Sequence, residues 1–247
     1  MPRRERVASK TNIYHIMLRG INQQNIFEDE EDYENMLEII SEVKKIGGFK
    51  LFAYCLMQNH YHLLLKVETE SLEKIFKRIG VKYVYRYNMK YKRVGHLFQD
   101  RFKSEPIETD KQFLAALRYI HQNPIKAGIC EKVSDCKWSS YKEYIQSDDL
   151  IDTEFVFSLL SRDEFVEFHK KESTEYFIDY EEKSFRITDT EAKGIIYDIS
   201  KCRNVSEFQQ LTSVERKVFI KKFKESGMSI RQISRLTGVS KGIVERA

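Results

Sequence analysis

His60 and His62 flank Tyr61 within the apolar run LMQNHYHLLL, residues 56–65. In an extended strand, residues two apart share a face. The two imidazoles therefore point together, about 7 Å apart by strand rise, while Tyr61 and Leu63 turn the other way into a core. Neutral imidazole is the commonest side-chain ligand for metals, and two on one sheet face can converge on a single ion. Farther along, FLAALRYIHQNPIKAG (residues 113–128) reads as a helix with Phe113, Leu117 and Ile120 on its packed side. Tyr119 and Asn123 are four apart and so are neighbours one turn up. A phenol beside a carboxamide suits a nucleophile and a metal ligand. It equally suits a ring that packs and an asparagine that ends the helix before Pro124. That stretch by itself leaves both open.

The elements that must hold these groups follow from pattern. Residues 11–19 (TNIYHIMLR) alternate as a strand and stop at Gly20. Residues 29–45 open with acids, carry Tyr33, Met36, Leu37, Ile40 and Val43 at helical spacing, and close at Gly47-Gly48. Residues 49–57 and 59–67 form two strands with a tight turn at Gln58-Asn59, a hairpin. Ser71 caps a helix reaching Tyr91. Residues 101–108 return as an edge strand containing Pro106. Thr109 or Asp110 caps the next helix, which is expected to stop at Asn123-Pro124. The order β-α-β-β-α-β, with one further helix, predicts an α+β fold. It is a ferredoxin-like or RRM-like antiparallel sheet with helices on one face and the other face open for work. Three regions are expected: a domain over 1–147, an acidic helical linker region over 148–210, and a helix-turn-helix over 211–247, so that the C-terminal part is all-α.

Charge is unevenly spread. Residues 74–103 carry ten Lys or Arg against Asp100 alone, residues 148–182 twelve acids against three bases, and residues 213–247 nine bases against three acids. Two basic blocks around an acidic one point to two surfaces for a polyanion. Tyr83, Tyr85, Tyr87 and Tyr91 lie among the cations of the first block, where aromatic rings could stack on unpaired bases. Arg19, Arg101 and Lys103, on strands beside the histidines, are candidates for contacts to such a polyanion. In the last block, SIRQISRLTGVSKGIVERA (residues 229–247) has helix-turn-helix spacing. Ser229 caps the first helix, Ser234 and Val244 bracket the turn glycine Gly238, and Ser240 caps a second helix. Lys241 and Arg246 lie on that second helix and are candidates to touch duplex DNA. The four cysteines have no zinc-finger spacing and are expected as free thiols. No signal peptide or membrane span is expected, and the location expected is cytoplasmic.

HYH after a strand, GHLFQDRFKS (residues 95–104), RYIHQNPIKAG (residues 118–128) and WSSY (residues 138–141) occur in that order. Together they resemble the HUH single-tyrosine transposases, in the branch of REP-associated tyrosine transposases, over about residues 11–144. Gln58 stands where that family commonly has proline, and Tyr61 is aromatic where an aliphatic residue is usual. The resemblance implies an HUH endonuclease core. In it His60, His62 and Asn123 would bind a divalent metal, Mg²⁺ or Mn²⁺, and Tyr119 would attack DNA. It further implies cleavage beside a DNA hairpin through a covalent 5′-phosphotyrosine. Such a bond conserves the energy needed for rejoining, which a water nucleophile would discard.

The expected activity is therefore that of a DNA endonuclease and strand transferase, a transposase. Its expected partners are single-stranded or hairpin DNA, and duplex DNA through the helix-turn-helix, with the chain a monomer or homodimer and no membrane partner. Two alternatives stand beside it. A replication initiator or relaxase is disfavoured because Tyr119 follows the histidines and no helicase segment is present. A helix-turn-helix regulator with a retired catalytic domain is disfavoured by the intact set His60, His62, Tyr119 and Asn123.

Overall fold

Alternating large apolar residues make the first strand, β1 (Ile13–Arg19), of a computed structural model that describes residues 7–146, 149–172, 177 and 189–247. Helix α1 (Glu30–Gly47) begins at Asp29, whose side chain accepts a hydrogen bond from the Asp32 backbone N–H. It ends where Gly48 takes a left-handed φ of 56°. A Cβ there would lie 2.4 Å from Thr69 Oγ1, so the chain can turn into the next strand only with glycine. Strands β2 (Phe49–Met57) and β3 (His60–Val67) pair with Met57 opposite His60, leaving Gln58-Asn59 as the hairpin turn. Next come α2 (Leu72–Lys90), β4 (Lys103–Ile107) and α3 (Asp110–Lys126), the last capped by Thr109 through the Gln112 N–H. All strand pairings are antiparallel, in the order β2-β3-β1-β4. That is the ferredoxin-like order, with Pro106 on an edge strand.

The sheet departs from expectation in one respect that decides the site: its second face is not open. On one face the fully buried Tyr61 packs against Phe98, which meets Tyr83 of α2, and Tyr83 meets Phe27 ahead of α1. On the other face α3 lies across the strands. Phe113 meets Phe52 edge-on at a centroid distance of 5.0 Å, and Tyr119 meets His62 and His15. A sheet with apolar residues on both sides must be covered on both. Nor does α3 stop at Pro124. Pro124 is buried inside the helix, and the end is closed by N–H donation from Ala127 to the Asn123 carbonyl and from Ile129 to the Pro124 carbonyl. The proline falls in the last turn, where the loss of one backbone hydrogen bond is outweighed by packing.

The WSSY stretch is a clamp. Leu56 N–H donates to the Trp138 carbonyl, the Trp138 ring stacks on Tyr33, and Ser140 Oγ accepts from Tyr54 N–H. Ser140 Oγ also bonds His121 Nε2 of α3, and His121 Nδ1 bonds His169 Nε2 at 2.9 Å. His169 lies on α6 (Arg162–Lys170), which follows α4 (Glu143–Gln146) and α5 (Glu154–Leu159). Ile151, Val156 and Phe165 belong to the same core as the sheet. The segment expected as a linker over 148–210 is thus divided. The chain forms two compact units, Met1–Asp179 and Tyr180–Ala247, because the apolar faces of α5 and α6 are buried on the first. The acidic residues 173–176 and 178–188 lie outside the described residues. Cys130 and Cys136, expected as free thiols, are joined in a disulfide; the turn after α3 brings their Cα atoms to 5.6 Å. Cys55 and Cys202 are free and buried.

The second unit is helical throughout its described residues: α7 (Asp189–Ser200), α8 (Val205–Gln210), α9 (Ser213–Glu225), α10 (Ile230–Thr237) and α11 (Lys241–Arg246). It has its own core of Ala192, Ile196, Phe208, Ile220, Phe223, Ile233 and Val244. Ser229 caps α10 through the Gln232 N–H, and Gly238 closes it with φ 70°. A Cβ at Gly238 would meet Gln209 at 2.4 Å. Among the described residues no helix is long and apolar enough to cross a membrane.

Tyr61 is fully buried and its hydroxyl has no hydrogen-bond partner among the described residues. Tyr61→Phe is therefore expected to raise stability by about 1 kcal/mol, read as a later midpoint in urea. In the histidine pair tying α3 to α6, burial pushes His169 down to about 4 against the pull of its bond to the Phe165 carbonyl. Burial, with His169 adjacent, holds His121 well below the ordinary imidazole range. Between roughly pH 4 and 6.5 the unfolded chain binds protons that the folded chain refuses, so stability rises with pH across that window. Thermal melts are expected to fall steeply from pH 7 to 4.5, and less steeply in His169→Gln.

Candidate active site

Strand alternation and helix periodicity meet at one place, between β3 and α3. His62 is fully buried and Asn123 is 7% exposed, with His62 Nε2 3.4 Å from Asn123 Nδ2. The His60 and His62 rings stand nearly perpendicular with centroids 5.1 Å apart. The Tyr119 ring, 5% exposed, lies edge-on to His62 at 5.9 Å. The four residues singled out by spacing, two from a strand and two from a helix about sixty positions away, are therefore neighbours. Helical continuity through Pro124 is what keeps Asn123 one turn above Tyr119 instead of on a frayed end.

Each imidazole is oriented through its Nδ1. His60 Nδ1 bonds Asn59 Oδ1 at 2.6 Å, and His62 Nδ1 bonds His15 Nε2 at 2.9 Å. A ligating bond from either ring would then be made through Nε2. Burial first, then His15 and His60 nearby, hold His62 well below the usual imidazole range, so it is neutral and has a lone pair to give. The Asn123 amide, turned over, places its oxygen where Nδ2 is drawn, a choice of orientation with no backbone consequence. Among the described residues no three His, Cys, Asp or Glu side chains gather to hold a metal. The donor set here is two imidazoles and an amide, which fits a divalent ion that completes its sphere with oxygens from water or a phosphate.

Three further residues line this place that strand and helix spacing had not marked. His15 of β1 is fully buried and touches both His62 and Tyr119. Lys126 places its ammonium 4.9 Å from the Tyr119 ring centroid, seven residues on along the same helix. Phe177 lies against Tyr119 at 5.3 Å. Alternation in IYHIMLR puts His15 on the face of Met17 and Arg19. Only the pairing register reveals that this is the histidine face.

Of the cations expected near DNA, Arg19 is half-buried and pairs with His60 across β1 and β3. Lys103 is exposed and sits opposite Met17, itself opposite His62. Arg101 is exposed just ahead of β4. Lys241 and Arg246 are exposed on α11 of the second unit. The basic block on α2 needs correcting, because many of its charges face α1 and the loop beside it. Arg78 pairs with Glu70, Lys82 with Glu42, Arg86 with Glu38, and Lys90 with Asp29, Glu31 and Asp32. Tyr83 and Tyr87 are buried, and Tyr91 donates to Asp32 at 2.8 Å. Tyr85 alone of the four is exposed, at 67%.

Residues 8–123 match the family described as "Transposase IS200 like". A Haemophilus influenzae protein named "Putative REP-associated tyrosine transposase" is 30% identical over 112 residues, 40% of this chain; the chain spans 63% of that relative's length. The structure of a REP-associated tyrosine transposase bound to a REP hairpin superposes with a TM-score of 0.52 at 17% identity, covering 72% of this chain and all of the other. At that identity the likeness speaks for the fold. Residues 8–123, which hold the sheet, the histidine pair and the helical residues that face it, are thus the part of the chain that is similar to the IS200-like transposases.

Proposed function

We propose that the first unit cuts and rejoins single-stranded DNA beside a hairpin, with Tyr119 as the nucleophile. The observation that carries this reading is the convergence of Tyr119 and Asn123 on the buried His62. The Tyr119 oxygen would attack a backbone phosphorus, the P–O3′ bond would break, and the departing 3′ oxygen would take up a proton. A 5′-phosphotyrosine and a free 3′-hydroxyl result, and reversal by another 3′-hydroxyl joins strands. An unperturbed phenol is ionised about once in a thousand at pH 7, a deficit of about 4 kcal/mol. The Lys126 ammonium lies 4.9 Å from the Tyr119 ring centroid, where the ring's electron-rich face attracts a cation.

His60, His62 and Asn123 would hold Mg²⁺ or Mn²⁺. Bound there, a divalent ion polarises the scissile phosphate and stabilises the charge developing on it. Arg19 and Lys103, on the same face of the sheet, would track the strand's phosphates. A hairpin as the recognised form is supported by the solved relative described as bound to one. The second unit would add duplex contacts. Support for a helix-turn-helix comes from the succession of α10, the turn at Gly238 and α11, with Lys241 and Arg246 exposed.

Hairpin oligonucleotides with single-stranded flanks, incubated with protein and Mn²⁺ and run on a denaturing gel, are expected to yield a covalent protein–DNA band. Tyr119→Phe is expected to abolish that band while leaving hairpin affinity within about threefold. Loss of binding together with cleavage would make Tyr119 structural. His60→Ala is expected to cut at least 100-fold more slowly, the scale of losing a group that stabilises transition-state charge. Undiminished cutting by this variant would remove the histidine site from the mechanism.

A further inference from the structure

His15 is an unusual residue to find at the centre of this sheet. It is fully buried, carries two polar nitrogens, and faces the site from β1. On the sheet it is the diagonal neighbour of His62, since His15 pairs with Leu64 and Met17 with His62. The two rings stack with centroids 5.1 Å apart and planes inclined by 25°, and His15 Nε2 is 2.9 Å from His62 Nδ1. On its other side His15 pairs directly with Glu105 of β4. Among the described residues its Nδ1 makes no hydrogen bond, and Glu105 Oε2 lies 3.9 Å from it. Three strands thus line up Glu105, His15 and His62, with Asn123 at the end of the row.

The chemistry of the row gives it a direction. A neutral imidazole has one N–H and one lone pair. The Glu105 carboxylate only accepts, so it favours the tautomer of His15 with its proton on Nδ1. His15 Nε2 then holds a lone pair and accepts from His62 Nδ1–H. His62 Nε2 is left with its lone pair aimed at Asn123 and the site. The opposite direction would set a lone pair of His15 against the carboxylate. It would also put an N–H of His62 where a metal must bind.

We propose that His15 is a positioning residue that, backed by Glu105, locks His62 in the orientation and tautomer that ligate a divalent cation. This role rests on the metal-site reading of His60, His62 and Asn123. Outer-shell partners of ligating histidines typically alter metal affinity by roughly 10- to 100-fold when removed. His15 fits that part, with a histidine and not a carboxylate as the immediate acceptor.

The test compares two amides of different reach in the full-length protein. In His15→Gln the side-chain oxygen can stand near the place of Nε2 and accept from His62. In His15→Asn it stops near the place of Nδ1, short of His62. Mn²⁺ alone is titrated into each protein at pH 7.5, and the free ion is followed by its paramagnetic resonance signal. Wild type and His60→Ala run alongside, and Tm is recorded for every variant. Gln is expected to keep the Mn²⁺ Kd within about threefold of wild type, and Asn to weaken it roughly 10- to 100-fold. Equal affinities in the two variants, whether both retained or both lost, would overturn the role of His15, because a merely space-filling histidine does not distinguish where an acceptor sits. If wild type takes up no Mn²⁺, or His60→Ala binds as tightly as wild type, the metal site itself fails and His15 with it. With wild type and His60→Ala behaving as expected, coincidence of Gln and Asn sinks the positioning role alone.

Discussion

The seating of α3 across the second face of the sheet is the constraint on which everything else in this domain depends. Without it, His60 and His62 would be two histidines on a solvated sheet, and Tyr119 a ring on an isolated helix. The seat is made at both ends by different means. At the N-terminal end Phe113 sets its ring edge-on against Phe52. Past the middle, His121 is tied through Ser140 to the backbone of Tyr54, and through His169 to α6. Apolar packing supplies the affinity of helix for sheet, and the buried hydrogen bonds supply the register. A slip of α3 by one residue would leave several of those polar atoms without partners, at about 1–3 kcal/mol each.

Burial that holds the helix down also sets the state of the site. His62 is kept neutral by desolvation and by its histidine neighbours, which is the form a metal ligand needs. The same desolvation makes any unpartnered polar atom expensive, so the site is wired: Asn59 to His60, His15 to His62, His62 to Asn123. Orientation is stored in these contacts themselves, which is what the proposed chemistry would require of groups that act on developing charge without reorganising.

The charge pattern illustrates a different point. A run of cations on α2 looks like a groove for a polyanion, yet Lys82, Arg86 and Lys90 meet acids of α1 and its N-cap, and Arg78 meets Glu70 just ahead of α2. Each exposed pair is worth at most about 1 kcal/mol. Their combined effect is to use positive charge on the face away from the site. Positive charge near the histidines comes instead from Arg19 and Lys103 on the strands and from Lys126 on α3.

Much of this was legible from residue order. Period-two alternation located the strands, the Gly48 stop and Asp29 start bounded α1, and the strand order followed from the element sequence. The pair His60 and His62 on one face is a consequence of strand geometry, and Tyr119 beside Asn123 one of helix geometry; local periodicity is written into the chain. What lay beyond it was everything set by contacts between distant segments. Covering of the second face, survival of α3 past Pro124, burial of Tyr83 and Tyr87, the pairing of Cys130 with Cys136, and docking of α5 and α6 on the first unit all depend on which surface meets which. His15 is the clearest case. Its type and face could be read, but its partner could not. Register between β1, β3 and β4 is decided by packing across the whole sheet, and only that register sets Glu105, His15 and His62 in a row.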